Sequence, residues 1–102
     1  MHSYTNFPPS WSTLWDYQQP KNTQQRLLDH LSETEADSTV AYQLEVQTQV
    51  ARTLGLQMES VEAHQLLDHI QSELTKGNSR TKNYYLLERG RVYNSAGEKN
   101  QR

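Results

Sequence analysis

Apolar side chains are scarce in this chain, and their placement decides what it can fold into. Leu, Ile, Val and Phe supply only nineteen of its 102 residues, and the mean hydropathy is -0.98. A composition so poor borders on that of disordered chains, but the large net charge that usually accompanies disorder is absent, the balance being -2. The apolar residues instead gather at 27–31, 40–56, 61–74 and 84–93, at spacings suited to buried faces. One small domain is expected, with a core that needs help from an arm or a partner.

The cleanest stripe is Ala63, Leu66, Leu67, Ile70 and Leu74, which predicts a helix over 60–75 capped by Ser60 and stopped by Lys76-Gly77-Asn78. Leu27, Leu28 and Leu31 predict a helix over 23–31. Ser32-Glu33-Thr34-Glu35 has the form of a capping box that starts another, with Asp37 and Ser38 as rival caps. Residues 39–54 alternate as a strand would, but sixteen residues without a turn is ordinary for a helix and long for a strand, so a helix is expected. Residues 79–94 read as a helix begun at Ser79 and stopped at Gly90, or alternatively as a short β-hairpin around Arg89-Gly90.

The resulting fold class is mostly α: a small bundle of three to four short helices around Leu28, Leu31, Leu44, Leu54, Leu66, Leu67, Ile70 and Leu74. An aromatic arm (1–20) precedes the helical domain (21–93), and a flexible polar tail (94–102) follows it. Leu27-Leu28-Asp29-His30-Leu31 echoes Leu66-Leu67-Asp68-His69-Ile70 at an offset of 39. Leu-Leu pairs are common in amphipathic helices, so chance similarity is the expectation over a duplicated hairpin.

Several function classes find no support. There is no cysteine, which excludes disulfide scaffolds, thiol nucleophiles and Cys-based metal centres. No apolar run approaches the ~18 residues of a membrane span, and Met1-His2-Ser3-Tyr4 does not open a secretory signal. A cytoplasmic protein without membrane attachment is therefore expected. His64 and Asp68 stand at i, i+4 and face one another, but His64 and His69 are too far around the wheel to chelate together. No His-Glu-x-x-His pattern occurs. No serine lies in a Gly-x-Ser-x-Gly elbow and no Gly-rich phosphate loop exists. The expectation is no enzyme, no metal and no cofactor.

Charge is split along the chain. Residues 1–75 carry three basic side chains against ten acidic ones, whereas 76–102 carry seven against two. Within the basic part, Arg80, Lys82, Tyr84, Tyr85, Arg89 and Arg91 interleave cations and rings as a nucleic-acid stacking platform does. Residues 49–70 also resemble a helix-turn-helix in shape. Ala51 allows close approach, Gly55 suits a left-handed turn, and Leu54, Leu56 and Val61 would fill the wedge. The second helix, however, presents Glu59, Glu62 and Asp68, the wrong charge for phosphate.

The arm holds both tryptophans. Trp11, Leu14 and Trp15 share one face of a short helix expected over 11–17 with Ser10 as its cap, and Phe7 precedes them. Aromatic anchors of this kind dominate protein interfaces. The leading expectation is a small non-enzymatic protein that binds another protein, or a second copy of itself, as an adaptor, inhibitor or assembly subunit. Phe7, Trp11, Leu14, Trp15, Arg89 and Arg91 are its candidate contacts. The alternative is a nucleic-acid-binding regulator using Arg80, Lys82, Tyr84, Tyr85, Arg89 and Arg91.

Overall fold

A computed structural model describes residues 11–100, with side chains through Ser95. Four α-helices follow a 3-10 turn at Trp11–Leu14: α1 (Pro20–Thr34), α2 (Val40–Leu56), α3 (Ser60–Ser72) and α4 (Ser79–Asn100). A second 3-10 turn, Leu74–Lys76, links α3 to α4. Helix α2 is the central element, packed by α1, α3 and α4. Its sequence explains why. Eight of its side chains are buried, Leu44, Glu45, Val46, Thr48, Gln49, Val50, Ala51 and Thr53, so most of its circumference faces protein. That near-complete burial also explains the strand-like alternation of 40–50, since a helix covered on most sides has no single polar face.

Two apolar clusters share this central helix. One gathers Ala51, Ala63, Leu67, Ile70, Tyr85 and Val92 between α2, α3 and α4. The other gathers Trp11, Leu27, Val46 and Val50 between the arm, α1 and α2. The expected core needs correction. Leu28 is 41% exposed and Leu27 takes its place. Leu31, Leu54, Leu66 and Leu74 are partly buried, whereas Trp11, Val46, Val50 and Tyr85 are buried instead. The echo between α1 and α3 proves not to be structural. The buried positions are 23, 27 and 30 in one and 63, 67 and 70 in the other, an offset of 40 rather than 39.

The helix ends differ from the sequence reading for local reasons. Pro20 opens α1, where its missing N–H costs nothing. Ser32 continues α1 rather than capping a new helix, and Thr39 caps α2 by accepting from the Tyr42 N–H at 3.0 Å. Ser38 is engaged elsewhere, its hydroxyl accepting from Gln43 Nε2.

At the α2–α3 turn, Gly55 stays helical and no glycine among the described residues has a positive φ. The left-handed residue is Met58, with φ 67°. Its N–H donates to the Gly55 carbonyl at 3.1 Å, and the Glu59 N–H donates to the Leu54 carbonyl at 2.8 Å, the two bonds of a Schellman motif. Glu59 then occupies the cap position of α3 in place of Ser60, with no side-chain capping bond. Gly55 serves packing instead: a Cβ there would lie 3.2 Å from Val92 Cγ2 of α4.

Helix α4 resolves the ambiguity of 79–94 in favour of a helix, and the hairpin does not form. Asn78 and Thr81 fix its start. Asn78 Oδ1 accepts from the Thr81 N–H at 2.9 Å, and Thr81 Oγ1 accepts from the Asn78 N–H at 3.2 Å. Gly90 does not stop the helix, which continues through the polar residues after Asn94 as far as Asn100. A glycine ends a helix only when the chain turns left-handed there, and Val92, buried against α2 and α3, anchors the following turn instead.

Candidate functional site

Two glutamates buried in the bundle organise most of the chain's polar chemistry. Glu45 on α2 is almost fully buried. Its Oε2 accepts from the Trp11 indole N–H, and Arg80 Nε at the start of α4 lies 2.9 and 3.0 Å from its two oxygens. Glu88 on α4 has no exposed surface. Its Oε2 accepts from Arg91 Nη1 at 2.9 Å and from Gln49 Nε2 at 3.2 Å. Gln49 Oε1 in turn accepts from the Trp15 indole N–H at 3.0 Å. The two tryptophans are thus hydrogen-bonded four residues apart along α2, one turn of that helix. Burying charge is tolerated here because each carboxylate is paired and bonded.

Both tryptophans of the arm are consequently engaged within the chain. Trp11 is 7% exposed and meets Tyr84 edge-to-face at 5.2 Å. Leu14 and Trp15 are partly buried against the second cluster. Thr23 on α1 bonds the Asp16 backbone through both its donor and its acceptor. Phe7 lies outside the described residues.

Most of the basic segment is likewise paired within the chain. Arg80 holds Glu45, Arg91 holds Glu88, and Arg89 holds Asp68 at 2.6 Å. Tyr85 is buried and its hydroxyl accepts from Arg89, while Lys82 is exposed with no ion pair among the described residues. Arg89 also bonds His64 Nδ1 at 2.8 Å, so the expected neighbours His64 and Asp68 share an arginine from another helix. Burial first, and the Arg89 charge second, hold the His64 imidazole below its ordinary pKa, with Asp68 partly opposing. Among the described residues no group of three or more acidic or histidine side chains is placed to hold a metal ion, and no helix is long and apolar enough to cross a membrane.

The helix-turn-helix resemblance holds for one of its four packing residues in full. Ala51 is buried against Ala63 and Leu67 as the motif requires. Leu54 is partly buried, but Leu56 and Val61 do not fill a wedge, being 46% and 70% exposed. The exposed side of α3 carries Glu62, Gln65, Asp68 and His69.

The sequence reading missed the apolar surface at this end of the bundle. Leu56, Met58 (54% exposed) and Val61 follow one another around the α2–α3 turn. Tyr93 of α4, also exposed, packs its ring on His64 at 4.4 Å, one helical turn after Val61. The only sequence signal was negative, namely the absence of glycine or asparagine at position 58, where a helix ending this way prefers one. Beside the turn lies a cleft of about 250 Å³ between α2 and α4, lined by Arg52, Gly55, Leu56, Arg91, Val92, Asn94 and Ser95.

The chain matches no protein-family model, no curated protein and no solved structure.

Proposed function

We propose that this protein acts by binding another protein, through the apolar end of the bundle at the α2–α3 turn rather than through the arm. The observation that carries the reading is Met58. It holds a left-handed backbone conformation that costs an ordinary residue on the order of 1–2 kcal/mol, and it spends that cost to present an exposed side chain. Flexible, polarizable methionine is favoured at protein-binding surfaces. Leu56 and Val61 widen the patch, and Tyr93 adds a ring of the type enriched in interface hot spots. An adaptor, inhibitor or assembly subunit needs no more than such a surface on a stable support.

The test is a double variant, Met58→Asp with Val61→Asp. Asp tolerates the left-handed region, and an acidic residue in the first turn of α3 favours the helix dipole, so the fold is retained. Affinity capture from the native host is expected to recover a saturable partner with the parent chain and to lose it with the variant, at unchanged circular dichroism. Light scattering on the purified chain shows whether that partner is a second copy. Equal capture by parent and variant overturns the proposal. The nucleic-acid alternative predicts binding that weakens as salt rises and as Arg89 and Arg91 become Ala.

A further inference from the structure

Arg52 is the one arginine among the described residues whose guanidinium makes no hydrogen bond. Its side chain is 23% exposed, held with its guanidinium carbon 5.2 Å from the Trp15 ring centre and 4.9 Å from that of Tyr17. Its Nε stands 3.9 Å from Glu88 Oε1, an ion pair too long for a hydrogen bond, and beyond that carboxylate and the two rings it makes no hydrogen bond among the described residues. Glu88 Oε1 itself has no hydrogen-bond partner. A planar cation with five N–H donors therefore lines an open cleft without a hydrogen bond to any described residue.

The cleft adds the rest of a site. Arg91 also lines it, already bonded to Glu88 Oε2. Two guanidinium groups sharing one buried carboxylate leave a single positive charge, which suits a monoanion better than a phosphate dianion. Leu56 and Val92 form an apolar wall, and Asn94 and Ser95 supply polar groups at the rim. The floor is Gly55, where the missing Cβ keeps α2 and α4 close. The volume of about 250 Å³ lies below the ~300 Å³ at which drug-sized pockets begin, so the ligand carries only a few carbons. A second cleft, of about 330 Å³ and bordered by Trp11, Glu45 and Arg80, offers no comparable vacancy because its charges are paired with each other.

We propose that the Arg52 cleft binds a monocarboxylate borne on a short aliphatic group. A free acid and the C-terminal residue of a polypeptide share that chemistry. The carboxylate takes two parallel N–H bonds from Arg52, the geometry that guanidinium matches best. The aliphatic group lies against Leu56 and Val92. This inference does not rest on the protein-binding reading, because a free acid needs no protein partner.

Amide-resolved NMR titration of the intact chain tests it with four probes. These are 4-methylpentanoate, 4-methylpentanamide, N-acetyl-glycyl-glycyl-leucine and the same peptide with its C-terminus amidated. Saturable shifts at Gly55, Leu56 and Val92 are expected with the acid, the free-carboxylate peptide or both, and the stronger of the two identifies the natural source. The amides are expected to bind at least about tenfold more weakly. Arg52→Gln removes the charge and is expected to abolish the shifts. Should that variant unfold, Leu56→Asp, at an exposed position, places a repelling charge in the cleft and is expected to do the same. Amides binding as well as acids, inorganic phosphate competing as strongly as the acids, binding unchanged in the folded variants, or no saturable shift up to roughly 10 mM of either carboxylate overturns the assignment.

Discussion

His64 shows how a single residue's chemistry depends on a neighbour that sequence spacing does not reveal. The i, i+4 relation to Asp68 was legible and alone would raise the imidazole pKa. Burial first, and then Arg89, which lies twenty-five residues away and donates to the His64 Nδ1 lone pair, reverse the sign. The folded pKa therefore lies below the ordinary ~6.5. The unfolded chain binds the extra proton first, so this group's contribution to stability is full above that value and is lost as pH falls towards the folded pKa. NMR titration is expected to place His64 below the ordinary imidazole value, and Arg89→Gln is expected to move it upward. Met58 offers a second residue-scale test. Glycine adopts φ 67° without steric cost but loses more entropy on folding. Met58→Gly is thus expected to raise unfolding stability by about 0.5–1 kcal/mol, measured by urea denaturation, while weakening any partner that uses the methionine.

At the scale of the elements, glycines that read alike in the sequence do three different things. Gly90 lies inside α4 with open space where a Cβ would be, so Gly90→Ala is expected to stabilise by about 0.5–1 kcal/mol. Gly77 lies before the same helix, where a Cβ would come within 2.8 Å of Thr81 Cβ. Thr81 cannot yield, being buried and bonded to Asn78 and to the Ala41 carbonyl. Gly77→Ala is therefore expected to destabilise by about 1–3 kcal/mol in the same denaturation measurement. The helices themselves were largely legible, because stripes such as Ala63, Leu67 and Ile70 carry their own period. The stops were not. Whether Gly55 or Gly90 ends a helix depends on Val92, which packs against α2 from a distant part of the sequence and holds both regions helical.

For the molecule as a whole, the scarcity of apolar residues is met by polar burial. Thr23, Thr48, Thr53, Thr81, Gln49 and Glu88 are all among the fully buried side chains. Such residues look like surface in a sequence, and only their partners make them interior. The same holds for the candidate sites. The arm's tryptophans and the C-terminal arginines were legible as important, but their use on one another's helices was not, since Trp11 meets Glu45 and Arg80 meets the same carboxylate over thirty residues away. Trp11→Ala removes a buried ring and one of the bonds to Glu45, and is expected to cost about 3–5 kcal/mol. Against the ~5–15 kcal/mol typical of a domain, that is a large share of the whole.

The docking of both indoles onto α2 also gives the chain a built-in optical gauge. Trp11 and Trp15 are its only tryptophans, so intrinsic emission reads the arm's seat on the bundle and almost nothing else, whereas far-ultraviolet dichroism reads the helices. Heating the unlabelled protein while following both signals separates two histories. Superimposed curves mean that arm and bundle melt as one cooperative unit, and an earlier emission change means that the arm lifts while the helices persist.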